Sequence, residues 1–382
     1  MKEIVDYILK WLCYGDEEAA ARIAYTADEK ALETHDLIIV PNGHLGKDLI
    51  LPELKRPEVE QPAKGKTIIR TDIVYAVFFF TSRAEEVLNT RRDEHGRFLA
   101  AYSMLSQKSR LQIPRLDEYA RLVLKQLNLP LPEAGFHHIY LTHDIDAISQ
   151  YRSLRGTLGG IRRGEAKAVW AAWQDIHNDP LYTFPWILEQ DRRIKKAEPI
   201  YFVKRTHGRG YDYPQYCLHG RDWKQLKHML RHSDVFLGVH GSYYGSIPAI
   251  EYSKMYRAHY LRCSIDQLQR LADAGYTDDF TMGFADQAGF RLQTCRAVRW
   301  INPKTMQLTS LTLHPLMVMD NTLSQANYMH LTEDEAYFLC ERLIDKVRMH
   351  HGDLCLLWHN NSFVEGSYHK SLYPKILNLV KQ

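Results

Sequence analysis

From Phe136 onward, short apolar runs alternate with stretches of helical spacing, and this alternation constrains the fold more than any other feature of the chain. The runs are His137–Thr142, Ile200–Val203, Val235–Val239, Tyr276–Phe284, Leu311–Met319 and Leu354–Trp358. Between most of them lie helical patterns at Ala166–Ile176, Trp223–Arg231, Ile265–Ala274, Asp334–Met349 and Leu372–Val380. Strands alternating with helices predict a mainly parallel sheet. About six or seven such units suit a distorted, incomplete (β/α) barrel, an architecture in which chemistry collects at the C-terminal strand ends.

Those ends carry acids and imidazoles. The first run finishes in His143-Asp-Ile-Asp146, and carboxylates spaced i, i+2 on a strand point to one face. Unpaired carboxylates at the mouth of a core are costly unless a metal or a cationic group sits between them. The run Asp234–His240 ends in a histidine followed by Gly-Ser-Tyr-Tyr244, Asp353–His359 ends in a histidine followed by Asn360 and Asn361, and Leu311–Asp320 ends in an acid. Carboxylate plus imidazole is a suitable shell for a divalent cation such as zinc. A second carboxylate could then take the proton of an attacking water, and a second imidazole could protonate the leaving group. For His240 the plain alternative is a core histidine. For His359 it is a helix-cap neighbourhood formed with Asn360, Asn361 and Ser362.

Upstream the pattern changes. Met1–Lys10 reads as an amphipathic helix without a signal-peptide core. The stretch from Pro52 to Lys66 is rich in Pro, Glu and Lys and reads as an exposed loop. Thr67 to Thr81 is β-branched and aromatic and reads as one or two strands. Pro114 to Leu129 has helical spacing and is followed by Pro130-Leu-Pro132. These features predict a smaller accessory α+β domain over residues 1–132, ahead of the barrel at 133–382.

Composition narrows the partners. A net charge of +3 over 382 residues gives no reason to expect nucleic-acid or membrane binding. No apolar stretch reaches the roughly 20 residues needed to span a bilayer. Six scattered cysteines without a CxxC pair argue against a disulfide framework or a Cys-rich zinc site and fit a reducing cytoplasm.

Taken in order, these residues resemble the polysaccharide deacetylase family (NodB homology, carbohydrate esterase family 4), in a bacterial subgroup with an extra N-terminal domain. Thr142-His-Asp-Ile-Asp146 is similar to its Thr-Phe-Asp-Asp motif, with one residue inserted between the acids. His240-Gly-Ser-Tyr-Tyr244 is similar to His-Ser/Thr-x-x-His, Arg257-Ala-His-Tyr260 to Arg-x-Pro-Tyr, and Leu356-Leu-Trp-His359 to Leu-x-His. Gly283–Arg291 occupies the place of the remaining motif. The resemblance covers roughly residues 136–382.

It implies a NodB-like barrel and a metal-dependent hydrolase that removes an N-acetyl or O-acetyl group from a carbohydrate in surface-glycan metabolism. Asp144 would be the general base, oriented by Arg257, and His359 the general acid, with Tyr260 near the oxyanion. Asp146 and His240 would hold the metal, most simply zinc, with cobalt, nickel or manganese as alternatives. Tyr244 stands where the family has its second histidine. Either a third ligand comes from elsewhere, or waters complete the shell, or no metal is held. His259 is the candidate replacement because it stands in the family's Pro position, whereas His143 faces the other way on a regular strand. Tyr244, Asp286, Arg291 and Trp358 are expected at the substrate, and Tyr243, Phe284 and Phe290 are further candidates for sugar platforms. Two rival readings stand beside this one. A phosphoester hydrolase with the same shell could draw on Arg257, Arg262, Arg291, Arg296 and Arg299, and a catalytically inactive carbohydrate-binding relative would explain Tyr244. A cytoplasmic enzyme would act on a nucleotide-linked or lipid-linked sugar or a glycan precursor.

Overall fold

The computed structural model describes residues 1–205, 210–214 and 216–381. It is a mixed α/β structure with two sheets. The smaller sheet comprises β1 (Ile23–Tyr25), β2 (Leu37–Ile39), β3 (Val59–Ala63) and β4 (Lys66–Ile69), in the order β1-β2-β4-β3. β1, β2 and β4 run parallel, and β3 is antiparallel to β4.

The larger sheet contains β5 (His138–Ile145), β6 (Ala197–Lys204), β7 (Phe236–His240), β8 (Met255–Arg257), β9 (Asp278–Met282), β10 (Val298–Asn302), β11 (Gln307–Pro315), β12 (Val318–Met319) and β13 (Asp353–Leu357). Their order is β10-β11-β9-β8-β7-β6-β5-β13-β12, and every pairing is parallel except β10 with β11. The two halves of this curled sheet meet at one short segment. Leu316 N–H donates to Met282 O at 3.1 Å, while Met317 N–H donates to Cys355 O at 3.5 Å. One dipeptide thus touches both β9 and β13. Among the described residues β10 and β12 remain edges, so the barrel is incomplete and compatible with the NodB-like expectation.

All six predicted apolar runs of this region contribute strands, and all five helical patterns form helices. β8, with three residues, is too short for a periodicity to register, and β10 lies outside the expected runs. Corrections fall upstream. Thr67–Thr81 is not all strand: after β4 the chain turns into the helix Ile73–Thr81. All nine residues of that helix are buried, so neither a polar face nor a two-residue alternation marks it, and its β-branched and aromatic content mimics a strand. Its start is set by Asp72, whose carboxylate accepts from Tyr75 N–H at 2.8 Å. The loop expected at 52–66 contains β3, whose residues are exposed throughout and pair only with β4. An exposed edge strand leaves no hydrophobic alternation to read.

Asp72 also accepts from Asn42 N–H and from Tyr25 Oη–H, both at 2.8 Å. Losing the cap alone costs about 0.5–2 kcal/mol, and Asp72→Ala would strand two further donors. We expect this variant to be destabilised by about 2 kcal/mol or more, read as a lowered urea midpoint at unchanged slope.

Three cores position the site. Residues of the first 130 positions share one continuous cluster with β7–β11: Phe78, Tyr119 and Leu12 pack in the same body as Val239, Trp300 and Leu313. A second cluster lies between β5, β6, β13 and the helices that cover them. The third fills the barrel interior with Tyr140, Phe202, Phe280, Leu316 and Leu357, and it forms the floor beneath the strand ends. All six cysteines are free. No described helix is long and apolar enough to cross a membrane.

Candidate metal centre

The barrel brings Asp144, Asp146, His240, Arg257, His259 and His359 together at the C-terminal ends of β5, β7, β8 and β13. Asp144 is the penultimate residue of β5, and Asp146 directly follows the strand. His240 is the last residue of β7. Its Nδ1 lies 3.1 Å from Arg257 O, so Nδ1 donates there and Nε2 is left as a lone-pair donor to the site. That Nε2 is 3.4 Å from Asp146 Oδ1 and 3.7 Å from Asp144 Oδ2.

His259 takes the remaining side. Its Nε2 is 3.4 Å from the same Asp146 oxygen, and its Nδ1 lies 3.0 Å from Asp212 Oδ1. Asp212 also accepts from Ser242 Oγ–H and, at 2.7 Å, from Tyr243 N–H. A carboxylate behind an imidazole fixes its tautomer and strengthens it as a ligand. The three ligand atoms of Asp146, His240 and His259 lie within 4.8 Å of one another. Asp146 Oδ1 and His240 Nε2 are buried yet have no hydrogen-bond partner among the described residues. Buried polar atoms are nearly always partnered. Two convergent orphans in a set of one carboxylate and two imidazoles fit a divalent cation.

Burial pushes the Asp146 carboxyl up, but the imidazoles of His259 and His240 and the Lys204 ammonium outweigh it and hold Asp146 well below the usual range. Lys204 Nζ, at the end of β6, stands 3.6 Å from Asp146 Oδ1. Burial lowers the His259 pKa, whereas Asp146 and Asp212 together carry it above its ordinary value.

Asp144 and His359 flank this group. Arg257 is fully buried and packs over the Phe202 ring at 4.4 Å. Its guanidinium reaches Asp144 Oδ1 at 3.1 Å, Thr142 Oγ1 at 2.7 Å and Phe280 O at 3.0 Å. The Arg257 guanidinium therefore holds Asp144 in a fixed orientation. His359 Nε2 lies 3.8 Å from Asp144 Oδ2 and 3.9 Å from Asp146 Oδ2. Its Nδ1 is 2.8 Å from Asp320 Oδ1, and Asp320 Oδ2 accepts from His359 N–H at 2.7 Å. Burial opposes the charged imidazole, yet Asp320, followed by Asp146 and Asp144, raises it to about 10.

A cleft of about 480 Å³ opens over these groups and is lined by Asp144, Asp146, Lys204, His259, Tyr260 and His359, together with His95, Arg97, Tyr211 and Tyr328. Tyr260 and Leu261 follow a candidate ligand directly with φ of 61° and 54°. Two successive left-handed non-glycine residues cost on the order of 1–2 kcal/mol each, and strain of this kind concentrates at functional sites.

Other expected residues lie elsewhere. Asp286 accepts from Ala100 N–H at 2.9 Å and Ala101 N–H at 3.2 Å, holding the 100–102 turn. Arg291 joins Glu86 Oε1 and Gly283 O, both at 2.7 Å, in a buried cluster with Arg83. Trp358 is fully buried, with its indole N–H on His369 Nδ1 at 3.3 Å. Phe284 and Phe290 are core residues. Tyr244 is 58% exposed and is absent from the cleft lining. His143 points away, to Trp358 O at 2.8 Å and Asp191 Oδ2 at 3.1 Å.

Several residues in the site carried no role in the sequence reading. Asp320 was visible as a polar strand end. Lys204 sat at the end of an expected strand and could have been found by the same test. Asp212 comes from a single 3-10 turn, Gly210–Asp212, and His95 and Arg97 from a loop, where no periodicity announces them.

The model of a family of unknown function (DUF7033) matches residues 5–132. No curated protein matches the chain. A crystal structure from Mycobacterium smegmatis, described as a "putative polysaccharide deacetylase", resembles it over 66% of this chain and 85% of its own, with 14% identity and a TM-score of 0.42. A likeness this slight carries no weight beside the side-chain geometry.

Proposed function

We propose that the chain is a metal-dependent hydrolase that removes an acetyl group, from nitrogen or oxygen, from a carbohydrate of surface-glycan metabolism. The observation that carries this reading is the pair of buried, unpartnered atoms Asp146 Oδ1 and His240 Nε2, with His259 Nε2 3.4 Å from the first. Asp146, His240 and His259 would hold a divalent cation, most simply zinc. When bound, it would polarise the acyl carbonyl and make water acidic.

The chain's own groups supply the proton transfers. Asp144, oriented by Arg257, accepts a proton from the attacking water. Water oxygen bonds to the acyl carbon and the C–N or C–O bond breaks. His359, charged through Asp320, gives its Nε2 proton to the departing amine or alcohol. An amine leaves poorly as an anion, so an acid on that side is needed. Tyr260 borders the reacting centre, and Tyr211 and Tyr328 offer amphipathic faces to a sugar.

The phosphoester alternative is less well supported. None of Arg257, Arg262, Arg291, Arg296 and Arg299 lines the cleft, whose lysine and arginine lining is Lys204 and Arg97 alone. The inactive alternative rests on Tyr244, and His259, 3.4 Å from Asp146 Oδ1, would take the place of the ligand that Tyr244 lacks. Residues 133–382 would carry the chemistry, with 1–132 an accessory unit that contributes His95 and Arg97 to the rim.

Metal content and acetate release from N-acetylated sugars, measured on protein purified without chelator, test the reading. Wild type should carry about one divalent cation, in keeping with a three-ligand site, and release acetate. Asp146→Ala should do neither. A wild type that binds no zinc, cobalt, nickel or manganese would refute the reading. Stoichiometric metal with phosphate release instead of acetate would replace it with the phosphoester alternative.

A further inference from the structure

Between the first catalytic strand and β6 the chain inserts a helical hairpin, Leu154–Arg162 and Ala166–Gln174. Its two helices meet closely. A Cβ on Gly160 would come within 2.5 Å of Val169 Cγ2, and the inner contacts form a small cluster of Tyr151, Val169 and Ala172. The outward side is apolar. Leu154 is 79% exposed, Trp170 69%, Ile161 51%, and Leu158 and Trp173 47% each. Leu154, Leu158 and Ile161 recur at i, i+4 and i+7, the spacing that normally faces a core. These are five of the eighteen large apolar side chains exposed among the described residues, within a stretch of twenty positions. Scattered exposed leucines need no explanation, but a concentration of this kind marks an interaction surface.

Charge identifies the partner. Residues 151–174 hold five basic side chains, Arg152, Arg155, Arg162, Arg163 and Lys167, against one acid, Glu165, a net of +4. The whole chain has only +3, so its modest total conceals a local excess. Arg152 is paired with Asp222 and Arg163 with Glu165, while Arg155, Arg162 and Lys167 are exposed. A second copy of this chain is a poor occupant, because a two-fold contact would set the exposed Arg155, Arg162 and Lys167 of one hairpin against those of the other. Exposed Leu, Ile and Trp beside Lys and Arg are what a bilayer interface takes up: apolar side chains enter the acyl boundary, indoles sit at headgroup depth and cations meet anionic lipid. The hairpin also touches the rim of the cleft, where the Arg155 guanidinium lies over the Tyr213 ring at 4.8 Å.

We propose that this hairpin docks the protein on an anionic membrane surface, with the helices lying in the interface and no span crossing the bilayer. The inference is independent of the chemistry proposed for the cleft. It also departs from the sequence expectation of no membrane partner, which rested on net charge averaged over the chain.

The full-length protein should co-sediment with vesicles of phosphatidylcholine containing phosphatidylserine, bind phosphatidylcholine alone far less, and release as salt is added. Its indole emission should shift to the blue on binding. Arg162→Ala with Lys167→Ala should weaken partitioning roughly 25-fold, at about five-fold per cation. Trp170→Asp should abolish the emission shift. All three side chains are exposed, and the charge variant keeps the test open should Trp170→Asp fail to fold. Equal binding to both vesicle types, no binding to either, or retention of full binding by the charge variant would overturn the proposal. So would a wild-type dimer in light scattering that dissociates in Trp170→Asp, which would give the surface to a second copy.

Discussion

Replacing His259 by alanine is expected to remove the bound cation and lower acetyl hydrolysis by roughly two to four powers of ten, the range for loss of a single catalytic group. His259 is the only imidazole in the described structure besides His240 that presents a ring nitrogen 3.4 Å from Asp146 Oδ1. Without it the shell falls to one carboxylate and one imidazole, below the three protein ligands of a catalytic zinc site. Graded variants separate a ligand from a bystander. Asp212→Asn keeps the ring but weakens the carboxylate behind it, and should reduce metal affinity by about 10–100-fold. Tyr244→Phe should leave metal content unchanged, because Tyr244 lies outside the cleft. Metal content and zinc titration calorimetry read all three. One retained equivalent of metal in His259→Ala would remove His259 from the shell, and a loss in Tyr244→Phe would return the third position to that residue.

The contrast between His259 and Tyr244 shows what the chain disclosed of its site. Strand ends were legible because a short apolar run stops abruptly at a polar residue, and Asp144, Asp146, His240, His359 and Asp320 all sit at such stops. His259 lies just beyond β8, a strand of three residues, so no run announces it, and only its place in a motif drew notice. Asp212 ends a single 3-10 turn, Gly210–Asp212, and reaches His259 across 47 positions. No spacing rule encodes a contact of that range. The misplaced residues are instructive in the opposite sense. Asp286, Arg291 and Trp358 have the chemistry of binding residues, but their polar atoms are consumed locally by Ala100, Glu86 and His369. Residue type tells what a side chain could do, and only the fold tells which partner reaches it first. The same holds for Ile73–Thr81, where complete burial erased the periodicity that would have separated helix from strand.

His359→Ala is expected to lower turnover of N-acetyl substrates by two to four powers of ten, with a smaller loss on activated O-acetyl esters, whose leaving groups need less help from an acid. Asp320→Asn tests how the acid is held. Asp320 contacts both Nδ1 and the backbone N–H of His359 at 2.8 and 2.7 Å, and it is the largest influence raising the imidazole toward about 10 against the effect of burial. An amide there keeps the shape and removes the charge. The protonated fraction of His359 should then fall at lower pH, and the alkaline limb of kcat/KM should move down the pH scale, with KM little changed. Stability follows the same group. A histidine whose folded value is raised contributes fully below its unfolded value, near 6.5, and loses that contribution as pH climbs through about 10. Wild type should therefore lose stability between neutral and alkaline pH, and Asp320→Asn should show less of that slope as well as the shifted limb. A purely structural role for Asp320 would lower stability evenly across this range and leave the pH–rate profile in place. Coincident profiles for wild type and Asp320→Asn would show that the proton given to the leaving group does not come from His359.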